Sequence, residues 1–271
     1  MDFPRTLLYI LASLVCANLG IAKVAQEEVT RILNGIESLP HSHPYQVYIN
    51  ITGKSGQVEW YCGGTLIHPL WVLTAAHCLL DGAVKVDLLL GAHRIDVHES
   101  SHLFLSSNQL YPFPSGEEDI RVHDIGLIRL PRPAPRTDEI DVIKLASKNF
   151  EASATSGKDL LIIGWGVVTG HREEVMSSPK LMQGLTHVIA NSQCVESFPY
   201  IGETDFCISG RRRDKSCMGD SGGPVLLNGE QVGIISYGHS YCDIGMPAVC
   251  VNVAKYLTWI TSVTGVDFNQ G

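Results

Sequence analysis

The chain has 271 residues, of which 45% are hydrophobic and 18% are charged. This composition supports a folded core and excludes intrinsic disorder as an account of the whole chain. The formal net charge at pH 7 is -8 and the basic residues form no long tract, so the chain lacks the positive surface of a nucleic-acid-binding protein.

The beginning of the chain has the pattern of a secretory signal peptide. Arg5 precedes an apolar stretch from Leu7 to Val15, and small residues suited to signal peptidase follow at Ala17 and Ala22. The stretch is much shorter than the about 20 apolar residues that span a bilayer, so we expect no membrane anchor. We predict a signal peptide over residues 1–22, ending at 17 or 22, and a secreted, extracellular protein.

The cysteines would then lie in an oxidising compartment, where disulfides are the rule. Cys16 belongs to the signal peptide, which leaves an odd number in the mature chain: Cys62, Cys78, Cys194, Cys207, Cys217, Cys242 and Cys250. We expect three disulfides and one unpaired thiol, and the spacing alone does not fix the pairing. A metal site is not expected, because no Cys-x-x-Cys pair occurs and the His41-Ser-His43 segment has no neighbouring ligands.

The rest of the chain consists of short β-branched and aromatic runs separated by turn residues. This pattern predicts an all-β domain. The expected strands span residues 45–51, 63–67, 71–74, 84–90, 125–130, 160–163, 184–189, 224–227, 232–237 and 248–253. One helix is predicted over residues 253–263, where four apolar side chains recur at helical spacing. They are Tyr256, Trp259, Ile260 and Val263.

Asn50 opens an Asn-Ile-Thr sequon, the acceptor pattern for N-linked glycosylation in a secreted chain. It lies within one of the predicted strands. We predict a glycoprotein with Asn50 as its glycosylation site.

Three short motifs contain the residue types of nucleophilic catalysis. A serine hydroxyl is a weak nucleophile at neutral pH and needs a base, a group that orients the base, and donors for the oxyanion. His77 lies in Thr-Ala-Ala-His-Cys, Asp124 opens an apolar strand, and Ser221 lies in Gly-Asp-Ser-Gly-Gly-Pro. A lone histidine or aspartate is more often structural than catalytic. The three motifs together contain the nucleophile, base and orienting acid that hydrolysis through an acyl-enzyme would need.

These motifs resemble those of the chymotrypsin-like serine proteases, and the likeness extends from Ile32 to about Gly265. Other matching segments are Cys62-Gly63-Gly64, Gly164-Trp165-Gly166, Ser236-Tyr237-Gly238 and the terminal helix. The resemblance implies two packed six-stranded antiparallel β-barrels with a C-terminal helix, and a serine endopeptidase that needs no cofactor.

An α/β-hydrolase is the alternative suggested by the Gly-x-Ser-x-Gly pattern around Ser221. That fold requires an acid and then a histidine after the serine, among alternating strands and helices. Only Glu230 and His239 follow in this order, crowded into a short β-like segment. We therefore reject this alternative.

The resemblance implies a role for each residue of the site. Ser221 would attack the scissile carbonyl, His77 would take and return its proton, and Asp124 would orient His77. The backbone N–H groups of Gly219 and Ser221 would form the oxyanion hole.

The resemblance also implies a zymogen. Cleavage after Arg31 would free the amino group of Ile32, which would pair with the carboxylate of Asp220 beside the nucleophile. Residues 23–31 would be an activation propeptide and residues 32–271 the catalytic domain.

The primary specificity pocket is expected around Lys215, where trypsin-like members carry an aspartate. The other expected pocket residues are Ser216, Met218, Ser236, Tyr237, Gly238 and Ala248. An unpaired ammonium group is costly in an apolar pocket, so we expect Lys215 to reach water or to pair with Asp214 or Asp243. This predicts a chymotrypsin-like or broad apolar preference. The alternative is that Lys215 receives an acidic side chain of the substrate.

The disulfides that the resemblance implies are Cys62–Cys78, Cys194–Cys207 and Cys217–Cys242, with Cys250 unpaired. Leu160 and Leu227 occupy the positions of a further family disulfide and are expected to pack together. Acids of a family calcium loop align with Ala92 and His102, so we expect no metal and no calcium dependence.

The expected partners are protein or peptide substrates, an activating trypsin-like protease and proteinaceous inhibitors, with the enzyme itself a monomer. No nucleic acid or membrane partner is expected. A non-catalytic binding homologue is the alternative, although His77, Asp124 and Ser221 are all present.

Overall fold

The computed structural model describes residues 35–80, 82–114, 122–155, 157–166, 177–198, 201–210, 220–238 and 246–268. The predicted signal peptide and the predicted cleavage site between Arg31 and Ile32 lie outside these residues. So do Lys215, Ser216, Met218, Gly219 and the expected Cys217–Cys242 disulfide.

The described chain is almost entirely β-structure. The strands are β1 (Ile36–Glu37), β2 (Gln46–Thr52), β3 (Val58–His68), β4 (Trp71–Thr74), β5 (Lys85–Leu90), β6 (Leu103–Ser107), β7 (Leu110–Pro112), β8 (Gly126–Arg129), β9 (Lys144–Leu145), β10 (Asp159–Gly164), β11 (Met182–Ile189), β12 (Asp205–Ile208), β13 (Pro224–Leu227), β14 (Glu230–Gly238) and β15 (Ala248–Asn252). The helices are α1 (Asn191–Val195) and α2 (Leu257–Thr264), with 3-10 turns at Ala152–Thr155 and Val253–Tyr256. No helix among the described residues is long and apolar enough to cross a membrane.

The first sheet is antiparallel with the order β6-β5-β2-β3-β4-β8-β7. Its two edge strands, β6 and β7, are consecutive in the chain and only residues 108–109 separate them. The sheet must therefore curl to bring its edges together. A hydrogen bond from Ser107 Oγ to the Arg129 carbonyl, at 2.6 Å, ties β6 to β8. The result is a curled half-barrel.

The second sheet has the order β1-β11-β10-β13-β14-β15-β12, and β12 pairs back onto β11. Strands β10 to β15 thereby form a closed six-stranded antiparallel barrel. Two short strands are attached outside this ring: β1 pairs with β11, and β9 runs parallel to β14. The predicted all-β fold of two packed antiparallel β-barrels with a C-terminal helix is confirmed, with one barrel closed and six-stranded and the other a curled half-barrel.

One hydrophobic core joins the two sheets. It includes Ile49 and Leu127 from the half-barrel, Ile163 and Ile234 from the closed barrel, and Ile260 from α2. Each such buried aliphatic side chain contributes about 1.5–3 kcal/mol relative to exposure. This shared core holds the two sheets against each other, and the candidate site lies at their junction.

Leu160 and Leu227, which we expected to pack together, lie in the core of the closed barrel. Leu160 is fully buried and Leu227 packs against the same cluster. Apolar contact thus joins β10 to β13 at the expected position.

The terminal helix is shorter than predicted. The chain over Val253–Tyr256 forms a 3-10 turn, and the α-helix begins only at Leu257. Asn252 accounts for the difference, because its side-chain oxygen accepts the N–H of Ala254 and starts the tight turn. The helix ends at Gly265, whose backbone is left-handed with φ 72°.

Candidate active site

His77 lies just beyond β4 and is tied to β3 through the next residue. Cys78 forms a disulfide with Cys62, with Cα atoms 6.3 Å apart. Ala75 and Ala76 before the histidine are buried and small, which allows the chain to turn inward at the end of β4. The imidazole itself stays 27% exposed, so substrate can reach it.

Asp124 is held in a tight turn immediately before β8. His123 adopts a left-handed backbone with φ 60°, and the N–H of Ile125 donates to the His123 carbonyl at 2.7 Å. Such a conformation is unusual for a residue other than glycine and is concentrated at functional sites. It turns the Asp124 side chain inward, where the residue is only 1% exposed.

The Asp124 carboxylate accepts hydrogen bonds from both the backbone and the ring of His77. The His77 N–H donates to Oδ1 at 2.8 Å, and ring atom Nδ1 lies 2.8 Å from Oδ2. The Ser236 hydroxyl donates to the same Oδ2. A buried carboxylate is stable when its oxygens are satisfied in this way. Because a carboxylate can only accept, Nδ1 must carry a proton, which leaves Nε2 of neutral His77 free to accept one.

Ser221 is held between the two sheets by backbone hydrogen bonds on either side. Its carbonyl accepts the N–H of Gly63 on β3 at 2.8 Å, and the N–H of Gly222 donates to Ile235 on β14 at 2.8 Å. The serine therefore sits at the junction, beside the disulfide that adjoins His77. Within the described residues its hydroxyl has no hydrogen bond to the imidazole, whose Nε2 lies 3.6 Å from Cys78 Sγ. Such bonds are often long or unformed without substrate.

The carboxylate of Asp220, the residue before Ser221, is buried beside the end of β10. It is 2% exposed, and its Oδ1 accepts the N–H of Gly166 at 3.0 Å. A Cβ at Gly164 would lie 2.1 Å from the same oxygen, so the pocket that holds this carboxylate requires glycine there.

The trypsin family model matches residues 32–260. The chain belongs to the trypsin family. A chymotrypsin from Phaedon cochleariae is 33% identical over 246 residues, 90% of this chain and 87% of that protein. A trypsin from Sus scrofa is 34% identical over 233 residues, 85% of this chain and 94% of that protein. A solved structure of HL collagenase has a TM-score of 0.74 at 29% identity, covering 86% of this chain and 98% of the other.

Membership of the trypsin family makes the chain a serine endopeptidase of the chymotrypsin fold that acts on protein substrates. The sequence motifs predicted a chymotrypsin-like serine protease, and the family match confirms this prediction.

Of the residues predicted for the specificity pocket of this trypsin-family chain, the structure brings four together. Ser236, Tyr237 and Gly238 end β14, and Gly238 pairs with Ala248 at the start of β15. Among the described residues, a Cβ on Gly238 would make ordinary contacts with Ala248 at 3.5 Å and with the Pro247 carbonyl oxygen at 4.0 Å. Ser236 has a role that the sequence did not indicate, since its hydroxyl hydrogen-bonds Asp124. The sequence indicated Ser236 as a pocket residue, but it gave no signal of this contact with Asp124.

Two disulfides of this trypsin-family chain lie in the described residues: Cys62–Cys78 and Cys194–Cys207. Cys250 is free and buried. The three potential metal ligands that cluster in the described part are Cys62, His77 and Cys78. The two sulfur atoms are already joined to each other, so this cluster offers no thiolate.

The residues at the family's calcium loop do not fit a calcium ion. Ala92 offers no side-chain oxygen, and His102 presents imidazole nitrogen in place of a hard oxygen ligand. Glu99 Oε2 already accepts the N–H groups of His93 and Arg94, at 2.7 and 3.0 Å, and the His102 Nε2 at 2.9 Å. Hydrogen bonds to the Glu99 carboxylate therefore hold this loop in place of a metal ion.

Proposed function

We propose that this trypsin-family enzyme is a secreted serine endopeptidase, made as a zymogen, with His77, Asp124 and Ser221 as its catalytic triad. The observation that carries the proposal is the double hydrogen bond from His77 to the buried Asp124 carboxylate. It fixes the imidazole in the tautomer that a general base requires.

Each residue has one chemical task in the proposed reaction. Ser221 Oγ attacks the scissile carbonyl carbon while Nε2 of His77 takes its proton, and a tetrahedral oxyanion forms. The backbone N–H groups of Gly219 and Ser221 stabilise that oxyanion. The peptide bond then breaks and His77 gives the proton to the leaving amine. Water repeats the sequence on the acyl-enzyme, and Asp124 stabilises the imidazolium in both halves.

A fluorophosphonate probe tests the triad directly. We expect the wild-type protein, after cleavage at Arg31, to be labelled at Ser221, and Ser221→Ala to remain unlabelled. Absence of labelling after verified cleavage would contradict the proposal and favour the non-catalytic binding homologue.

Activation is proposed to follow cleavage after Arg31 by a trypsin-like protease. The support is the position of the buried Asp220 carboxylate directly before Ser221, where the new amino group of Ile32 would form an ion pair with it and act on the site. The Arg31→Gln protein should stay uncleaved and inactive when treated with trypsin. Full activity in this variant would refute the activation step.

The proposed preference is for aromatic or other apolar side chains before the scissile bond. The small side chains at Gly238 and Ala248, which pair at the ends of β14 and β15, support a roomy pocket. Because the chymotrypsin and trypsin relatives are almost equally identical to this chain, overall identity does not choose the preference. The preference depends on the position of the Lys215 ammonium group. If this group lies in water, the pocket is apolar; if it faces into the pocket, acidic side chains are favoured.

Cleavage of a peptide library by the activated enzyme and by Lys215→Ser separates these two states. An aromatic or leucine profile shared by both proteins supports the apolar pocket. An acidic profile that only the wild type shows would establish the alternative.

A further inference from the structure

A second buried carboxyl group lies close to the proposed triad acid. Asp205 opens β12 and is 8% exposed. Its Oδ2 accepts the N–H of Gly202 at 3.0 Å. Its Oδ1 is buried and has no hydrogen-bond partner in the described part of the chain. A carboxylate in this position would be poorly solvated, whereas the neutral acid costs less to bury.

A short polar chain connects this acid to the turn that carries Asp124. Thr204, the neighbour of Asp205, accepts a hydrogen bond from the Tyr256 hydroxyl at 2.9 Å. The same hydroxyl lies 2.7 Å from Nδ1 of His123, the residue before Asp124. Both carboxyl groups act electrostatically on Tyr256, and burial, the larger effect, raises the pKa of its phenol to about 12. The two acids therefore share one side of the site.

Among the described residues, the groups that face Asp205 do not compensate a negative charge. The 3-10 turn at Val253–Tyr256 contributes the Tyr256 phenol, β15 contributes the buried Cys250 thiol, and the turn before β8 contributes Asp124. Helix α1 has no charged residue; its Asn191 amide donates to the Asp205 carbonyl at 3.5 Å.

The remaining neighbouring elements in the described part of the chain add no cation either. On β11 the titratable residue is His187, which lies beside Ser209, beyond the far end of β12. In the loop before β12, Glu203 is exposed. Burial, and after it the like charge of Asp124, raises the pKa of Asp205 to about 7, against the opposing effect of the Gly202 N–H.

We propose that Asp205 is a positioning residue of the active centre, a second buried acid whose charge acts on Asp124 and sets how catalysis depends on pH. The inference rests on the proposed triad. Below neutral pH Asp205 is neutral and Asp124 alone stabilises the imidazolium. As the pH rises, Asp205 loses its proton to solvent and adds a second negative charge, which strengthens that stabilisation.

The test compares activated wild type with Asp205→Asn, which keeps the shape and removes the titration. We expect the ratio of wild-type to variant kcat/KM to be near one at about pH 5. By about pH 9 it should rise about threefold, equivalent to about half a pK unit. Glu203→Gln, which removes an exposed acid from the same loop, should give a flat ratio. A flat ratio for Asp205→Asn as well would mean a structural role and would overturn the proposal.

A second measurement needs neither activity nor the variant. In Ser221→Ala protein with 13C-labelled aspartate, the Asp205 carboxyl resonance should titrate near neutral pH. A resonance that titrates in the ordinary acidic range of aspartate would overturn the proposal even if Asp205→Asn failed to fold. Failure of fluorophosphonate labelling would remove the proposed triad without altering this titration, so the two failures are distinguishable.

Discussion

Gly222 follows the proposed nucleophile directly and needs the absence of a side chain for two reasons. Its φ is 81°, and a Cβ there would lie 2.2 Å from Thr74 Oγ1 and 2.4 Å from the Gly63 carbonyl oxygen. Thr74 cannot move aside freely, because its hydroxyl donates to that same carbonyl at 2.8 Å. The serine loop can therefore approach β3 and β4 only with glycine at this position.

We predict that Gly222→Ala displaces Ser221 and lowers kcat/KM at least about 100-fold, since a shift of about 1 Å at a reacting group is enough for such a loss. Gly229→Ala is the matched control: its φ is also 81°, but nothing lies within 4 Å of the added Cβ. The control should cost about 1–2 kcal/mol of stability and leave kcat unchanged. Equal activity in the two variants would show that the crowding at Gly222 is unimportant.

The Ser236 hydroxyl supports the proposed triad acid through a buried hydrogen bond. Ser236→Ala removes a buried donor from Asp124 Oδ2, and a hydrogen bond to a charged group contributes about 1.5–3 kcal/mol. We expect kcat to fall about tenfold with little change in KM, because the imidazolium forms only during the reaction. Thr186→Val also removes a buried hydroxyl, one that donates to the Ser209 carbonyl, and should alter stability alone. Steady-state kinetics with thermal unfolding distinguishes the two effects.

The loop of residues 91–102 shows how an element is held without an ion. Three donors converge on Glu99 Oε2, and His102 is nearly fully buried. Burial alone would raise the pKa of Glu99, but the N–H groups of Arg94 and His93 and the His102 ring outweigh it and lower that pKa. A lowered carboxyl pKa stabilises the fold above the unfolded-state pKa, and this contribution is lost as pH falls through the folded-state value.

We predict that Glu99→Gln lowers the melting temperature at neutral pH and that the deficit shrinks as the pH falls below about 4. Neither calcium nor a chelator should change the melting temperature of the wild type or of this variant. Asp138→Asn, at an exposed acid, serves as the control for loss of one charge. Stabilisation of the wild type by calcium, measured by calorimetry, would contradict the prediction that hydrogen bonds to Glu99 hold this loop without an ion.

The longer strands were predictable because their burial follows local patterns. The predicted runs 71–74 and 224–227 coincide with β4 and β13, since each is a short apolar segment bounded by turn residues. The missed strands β1, β6, β7, β9 and β12 have two to five residues and owe their extended form to pairing with other strands. Such pairing leaves no local signal. The acid at position 205 likewise gives no sign in the sequence that it is buried.

At the scale of the whole molecule, the proposed site lies at the junction of two sheets that come from different halves of the chain. Motifs indicated His77, Asp124 and Ser221 because each has a recognisable local context. Their support was not predictable, since Ser236 and Tyr256 reach the Asp124 turn only through the tertiary fold. The same packing buries Asp205, and a buried acid makes the stability of the entire fold depend on pH.

The sign of that dependence follows from the raised pKa of Asp205, about 7 in the folded state against about 4 for an unperturbed aspartate. Between these values the folded protein keeps a proton that the unfolded chain has released. The contribution of Asp205 to the free energy of unfolding is therefore fully present below about pH 4 and is lost as the pH rises to about 7.

Asp205→Asn does not titrate and so does not lose stability in this way. In a Ser221→Ala background, which prevents self-digestion, we predict that the melting temperature of Asp205→Asn relative to its parent rises between about pH 4 and about pH 8. Glu203→Gln should show no such trend. A difference between Asp205→Asn and its parent that stays constant over this range would mean that Asp205 ionises as an ordinary exposed acid, and its burial would then have no electrostatic consequence for the fold.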